Sequence, residues 1–340
     1  MERTTMVIKT EEELIDQMTT PSPEVVEAVS KLDGPVMILG IAGKMGPTLS
    51  ELLLRAGADE VIGVSRFSNP LDRDDLEARG IATIKCDLLD DEGLARLPRV
   101  PYLYLMAGHK FGATGNEPLT WAMNAALPAK VMQQFPDSRI VYVSSGNVYE
   151  FASVTGSGAQ EDAAVDPIGE YAMSRLGGER LAEFYCKENQ TPLAIVRLFY
   201  ATELRYGIIL DIAEKIKSET PIDLSMGHVN QIWQGDANAY LARMFPLCAC
   251  PARVVNKTGR DVLPGRDLAL PLGEYFGIDP VFEGEERETA LLGDAGVLFE
   301  EMGSPRVPVE EIVSWVASWV MSDGRTLGKP TKYESRTGAF

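Results

Sequence analysis

The sequence predicts an α/β protein, a doubly wound parallel sheet with a smaller C-terminal lobe. Three observations predict it. Between residues 36 and 198, short apolar runs alternate with stretches of helical period. The first run leads directly into a glycine-rich turn and then a helix. After Tyr200 the alternation loosens. Strands with few polar positions, separated by helices, need cover on both faces, as parallel sheets have. Right-handed crossovers then wind the sheet in both directions.

Along the chain, residues 11–18 read as a short helix. Ser22-Pro23-Glu24 supplies an N-cap, a first-turn proline and an acid near the helix dipole. The helix it opens runs to about residue 32, where Asp33-Gly34-Pro35 stops it. The first 33 residues therefore read as a helical appendage. Strands are expected at 36–39, 61–64, 82–86, 102–106, 139–143 and 193–198. Helices are expected at 48–56, closed by Gly57, and at 119–135 and 171–187. Beyond Tyr200, 208–217 is helical, and 229–233 and 254–256 are short strand-like runs. A final helix starts near Val307-Pro308-Val309-Glu310 and ends near residue 321, with Trp315 and Trp319 four apart on one face. These tryptophans read as core. The polar tail from Ser322 is expected to drape over the surface or reach a neighbouring subunit. The expected organisation is an extension at 1–33, a sheet domain at 34–200 plus 229–258, a lobe at 201–228 plus 259–322, and a tail at 323–340.

Composition narrows the function. Of 340 residues, 45% are hydrophobic and 24% charged, enough apolar material for a sizeable core. The net charge of −18 repels phosphate backbones and anionic lipid, so neither nucleic acid nor a membrane is expected as partner. No apolar run approaches the roughly 18–20 residues of a bilayer span. Met1-Glu2-Arg3-Thr4 starts no apolar leader, so a cytoplasmic protein is expected. Cys86, Cys186, Cys248 and Cys250 read as free thiols, and two histidines, His109 and His228, are too few for a His-based metal site.

The strand at 36–39 runs into Gly40-Ile41-Ala42-Gly43-Lys44-Met45-Gly46, and a helix follows. Gly40 permits a tight turn, Gly43 lets backbone amides approach a pyrophosphate, and Gly46 lets helix and sheet pack closely. The helix N-terminus presents unpaired N–H groups to the anion. Between a strand and a helix, this spacing points to a Rossmann-type dinucleotide site. The second strand ends in Val64-Ser65-Arg66, with no acid to bind the ribose hydroxyls of NAD. A hydroxyl and a guanidinium suit a 2′-phosphate, so NADP is expected over NAD. Arg66 stacking on adenine, or pointing into solvent, is the alternative. In Cys86-Asp87-Leu88, Asp87 either accepts from the adenine amino group or caps the next helix, in competition with Asp90 and Asp91.

The fifth strand ends in Val143-Ser144-Ser145-Gly146-Asn147-Val148-Tyr149, and Tyr171-Ala172-Met173-Ser174-Arg175 follows. With these motifs the chain resembles the extended short-chain dehydrogenase/reductase family, also called the NAD-dependent epimerase/dehydratase family, from about residue 35 to residue 319. Met106-Ala107-Gly108-His109-Lys110, Asn124 and Arg197-Leu198-Phe199 add to the resemblance. It implies that Tyr171 is the general acid/base and that Ser145 hydrogen-bonds the substrate oxygen. It also implies that Met106, Ala107, Gly108, Lys110, Asn124, Tyr171, Leu198 and Arg175, the last at the nicotinamide ribose, join Lys44, Met45, Leu88 and the glycines around the cofactor. Family members usually dimerise through a four-helix bundle, to which Leu176, Leu181, Phe184 and Tyr185 would contribute apolar positions.

The chemistry needs these types. A phenol with a pKa near 10 is a poor base at neutral pH, and a nearby cation favours the phenolate. The family places a lysine four residues after the tyrosine. Here Arg175 stands there, so either it replaces the lysine with water as relay, or the enzyme is altered, or the protein only senses cofactor. Tyr200 stands where sugar-nucleotide epimerases of the family have Asn, and Gly146-Asn147 replace the acidic pair of the dehydratases. The expected function is an NADP-dependent oxidoreductase or redox epimerase acting on a small sugar-like alcohol or ketone, with Asn147 and Tyr200 facing substrate. A silent NADP-binding redox sensor is the competing class, and a nucleotide sugar the competing substrate.

Overall fold

The computed structural model describes residues 7–110 and 112–338. Its central sheet has seven strands: β1 Val36–Leu39, β2 Val61–Ser65, β3 Ala82–Lys85, β4 Tyr102–Leu105, β5 Arg139–Ser145, β6 Leu193–Leu198 and β7 Arg253–Lys257. They lie in the order β7-β6-β5-β4-β1-β2-β3. All pairings are parallel. The expected doubly wound sheet is thus present. The winding direction reverses between β1 and β4, which opens a crevice at their carboxyl ends. The central strands bury both faces, whereas β3, at the edge, does not.

Two apolar layers cover the sheet. One contains Val25, Leu49, Leu53, Tyr104, Val196 and Leu241. The other contains Leu105, Leu127, Met132, Phe135, Tyr142 and Ala182. A third core lies beyond the sheet around Ile209, Ile212, Leu268, Trp233, Trp315 and Trp319. There Trp233 and Trp315 meet edge to face, ring centroids 5.1 Å apart.

The helices used below are α1 Glu11–Thr19, α2 Pro23–Val29, α3 Gly46–Arg55, α4 Pro70–Ala78, α5 Asp91–Ala95, α6 Glu117–Trp121, α7 Leu127–Gln134, α8 Gly169–Asn189 and α9 Ile208–Lys217. Four features differ from the sequence reading. The N-terminal residues are no loose appendage: Ile8, Leu14 and Met18 are buried in the third core. Leu14 and Met18 are four apart, so they share one face of α1 and each buries a side chain worth about 2 kcal/mol.

The expected long helix at 119–135 is interrupted by a π turn at Ala122–Ala126, between α6 and α7. Pro128 has no N–H to donate to the carbonyl four residues earlier, that of Asn124. The Tyr142 hydroxyl donates to that carbonyl instead, at 3.3 Å.

Finally, of residues 229–258 only β7 joins the large sheet. Gln231–Trp233 instead pairs with Tyr200–Thr202 past the end of β6.

The tail packs more deeply than a surface drape. Thr331 and Tyr333 are buried. Asp211 of α9 accepts from the Thr331 backbone N–H at 2.8 Å and from its hydroxyl at 2.5 Å. Lys215 pairs with Glu334, and Arg336 donates to the Thr289 carbonyl at 2.7 Å. Among the described residues, no helix is long and apolar enough to cross a membrane.

Candidate active site

The glycine turn leaves β1 at the crevice. Gly40 has φ +93°, which an L side chain rarely adopts, and a Cβ there would stand 2.6 Å from the Ala107 backbone nitrogen. Its N–H donates to the Val64 carbonyl at 2.8 Å, so turn, β2 and the loop after β4 are held together. Gly46 lies against the Ile41 carbonyl with no room for a methyl group. Gly43 is exposed between them. The side chains of Thr10, Ser22, Asn69 and Asp90 cap α1, α2, α4 and α5. At the start of α3, by contrast, no side chain caps and the first turn holds no acid. An exposed glycine and an uncapped helix start fit the pyrophosphate of a dinucleotide. Gly40→Ala is expected to destabilise the fold by about 1–3 kcal/mol and to weaken dinucleotide binding, measured by thermal denaturation and fluorescence titration.

Lys44 sits in this turn, its ammonium 3.0 Å from the ring centroid of Tyr206. Burial lowers it to about 6, with Lys110 and Lys329 adding like-charge repulsion. Ser65 is half-buried and Arg66 exposed at the end of β2. Asp87 is exposed, and one of its oxygens accepts from the Leu89 N–H at 3.0 Å. The cap of α5 is Asp90, which accepts from Glu92 and Gly93. Asp87 therefore does not cap α5. Met45, Leu88 and Ala107 are buried and offer wall and backbone, while Met106 and Leu198 are half-buried.

Asn124 differs from its expected place among cofactor contacts. It is fully buried, and both of its amide protons are used. Its Oδ1 accepts from the His109 N–H at 2.8 Å, and its Nδ2 donates to the His109 carbonyl at 2.9 Å and the Ser174 hydroxyl at 3.0 Å. The π turn aims this side chain inward, so it clamps the loop of Gly108–Lys110 to α8 rather than facing a ligand. Ser174 in turn donates to the Tyr171 carbonyl at 2.8 Å.

Adjacent serines at the end of β5 point to opposite faces. Ser144 donates to Glu179 of α8 at 2.5 Å. The Ser145 hydroxyl donates to Asn147 Oδ1 at 2.9 Å and accepts from the Asn147 N–H at 3.2 Å. Asn147 lines a small cleft with Tyr149, Phe151, Ile168, Leu291, Ser335 and Gly338, so the tail contributes to its wall.

Arg175 of α8 donates to the Val143 carbonyl of β5. From there, one helix turn back reaches Tyr171 and two strand residues forward reach Ser145. Those rises are about 6.0 Å along α8 and about 6.6 Å along β5. Tyr171 is half-buried in the first turn of α8, and Ser145 is buried at the end of β5.

Arg175 departs from its expected place beside a cofactor ribose. It is 4% exposed, and its guanidinium lies 5.0 Å over the Tyr142 ring. A Cβ on Gly108 would come within 2.8 Å of its Nη1, so the guanidinium lies directly behind that glycine. A long planar fork finds a carbonyl and an aromatic face inside, where a lysine ammonium would have to stay solvated.

Tyr200 is buried, and Lys110 stands over it, its ammonium 5.8 Å from the ring centroid. Burial pushes the Tyr200 phenol well up. Sequence reasoning missed Tyr206, Asp211 and the tail residues around the site. Asp211 is raised to about 6 by burial, against the Thr331 hydrogen bonds that lower it. No motif marks these residues, because they reach the site only through the packing of α9 and the tail.

The comparisons agree with this fold. The model of the NAD dependent epimerase/dehydratase family matches residues 36–203. A UDP-glucuronic acid 4-epimerase from Bacillus cereus, solved with NAD, superposes with a TM-score of 0.70 at 17% identity, covering 84% of this chain and 98% of that one. An epimerase from Methanothermobacter thermautotrophicus gives 0.72 at 20% identity, over 89% and 97%. A dTDP-glucose 4,6-dehydratase from Streptomyces venezuelae gives 0.70 at 20%, over 84% and 97%. No curated protein matches the chain.

Proposed function

We propose that this chain, whose residues 36–203 belong to the NAD dependent epimerase/dehydratase family, is an NADP-dependent oxidoreductase or redox epimerase acting on a secondary alcohol or ketone of a sugar-like molecule. The reading rests on Ser145 at the carboxyl end of β5 and Tyr171 in the first turn of α8, the helix whose Arg175 donates to the Val143 carbonyl of β5. A bound nicotinamide supplies the hydride donor or acceptor. The amides of Gly43–Gly46 and Lys44 hold the pyrophosphate. Ser145 donates to the substrate oxygen as charge develops on it. Tyr171 takes the proton of that hydroxyl on oxidation and returns it on reduction. Buried Tyr200 and the tail keep water from this end of the site.

The preference for NADP over NAD rests on Ser65 and Arg66, with no acid at the end of β2. NADPH is expected to bind more tightly than NADH. Arg66→Ala should lose about tenfold or more of NADPH affinity and little of NADH affinity. Equal binding of the two by the wild-type chain would remove the preference.

A nucleotide sugar is the second substrate reading, favoured by the UDP-glucuronic acid and dTDP-glucose enzymes of the same fold. Polyols, ketoses and UDP-sugars, each offered with NADP⁺ and NADPH, are expected to give a change in dinucleotide absorbance with at least one class. Tight dinucleotide binding without hydride transfer on any would leave the silent sensor. The partner on the outer face of α6 and α8 is a second copy of the chain. Trp121, Met173, Leu181 and Phe184 are exposed there, as a four-helix bundle requires. The four free thiols fit a reducing, cytoplasmic setting.

A further inference from the structure

We propose that Lys110, and not the residue four positions after Tyr171, is the cation that stabilises the Tyr171 phenolate. This rests on the acid/base reading of Tyr171 above. Two observations carry it.

The first is where Arg175 goes. Its guanidinium is buried behind Gly108, donates to Val143 and stacks on Tyr142. It also keeps its proton, so it cannot exchange one with a phenol.

The second is where Lys110 stands. Its ammonium lies 5.8 Å from the ring centroid of Tyr171 and 5.8 Å from that of Tyr200, so one cation serves two phenols. The position is fixed rather than incidental. The neighbouring His109 is clamped through both backbone groups by Asn124, Asn124 donates to Ser174, and Ser174 donates to the Tyr171 carbonyl. This chain of hydrogen bonds ties the lysine loop to the turn of α8 that carries the tyrosine. Loss of the usual lysine and gain of this clamped one thus fall within one network.

Lys110 also has the right chemistry. Burial lowers it to about 8, so it can give up and regain a proton near neutral pH. Asp211 opposes that shift, whereas Lys332 reinforces the loss of charge. Tyr142, Tyr200 and Tyr206 also interact electrostatically with Tyr171. When Tyr171 accepts a hydroxyl proton its negative charge is lost, and the ammonium that balanced it becomes the more acidic partner. Lys110 acts through Tyr171, and so is a positioning residue.

The test needs no substrate, so it stands apart from the turnover screen. The full chain is labelled with [¹³Cζ]tyrosine, the Tyr171 resonance is assigned with Tyr171→Phe, and its ionisation is followed by NMR against pH. In Lys110→Met the phenol should ionise at a pH higher by about one unit or more, as expected for loss of a charge at this distance. Lys110→Arg, which keeps the charge, should stay within about half a unit of wild type. Arg175→Gln should shift it less than Lys110→Met does. Lys110→Gln repeats the measurement if the methionine variant fails to fold. An unmoved phenol in both neutral Lys110 variants, or a larger shift in Arg175→Gln, would overturn the proposal.

Discussion

Phenylalanine at position 171 is expected to lower hydride transfer by about 10²–10⁴-fold while leaving dinucleotide affinity within a few-fold. In the proposed mechanism the phenol gives and takes the substrate proton. Its ring remains in the variant, so the half-buried face of α8 keeps its packing. Loss of turnover with retained binding separates proton transfer from cofactor capture. Single-turnover absorbance change and equilibrium fluorescence titration measure the two. Equal loss of binding and turnover would mean that Tyr171 holds the site together rather than moving a proton.

Glu179→Ala is expected to cost about 3–5 kcal/mol of stability, read from urea or thermal denaturation. Glu179 is fully buried and its partner Arg197 is 3% exposed. Arg197 reaches the carboxylate with Nη2 at 2.8 Å and with Nε at 3.2 Å, and Ser144 donates to the same group. Burial opposes the Arg197 charge, but the carboxylate more than offsets it and raises the guanidinium above its ordinary value. Removal of the carboxylate leaves a buried cation stacked on the Tyr149 ring with no anion, and leaves Ser144 without its acceptor. Ser144 precedes Ser145, and Glu179 lies on the helix that carries Tyr171. The same substitution should therefore also loosen the pairing of serine and phenol. A loss below about 1 kcal/mol would mean that water or a rotated side chain replaces the carboxylate.

The sheet was legible because its central strands are buried on both faces and so read as nearly unbroken apolar runs. The glycine turn was legible because each glycine has a separate steric reason, which the φ of Gly40 and the contact of Gly46 with Ile41 bear out. Three things were hidden. The π turn depends on Pro128 removing one donor, an effect that helical periodicity does not register. The direction of Arg175 depends on Gly108, 67 residues earlier, leaving room behind it. The contribution of the tail depends on pairings such as Thr331 with Asp211, 120 residues apart, and nothing local in either segment announces them. The glycine turn was therefore readable from sequence, while the direction of Arg175 and the cleft wall required the fold.

The most direct test of the site is a crystal structure of the full chain with NADPH bound. The nicotinamide ring is expected beside Gly108, with its reactive carbon facing the Tyr171 hydroxyl and Ser145, and with the pyrophosphate on the amides of Gly43–Gly46. A dinucleotide found elsewhere on the molecule, or a nicotinamide ring turned away from Tyr171 and Ser145, would contradict it.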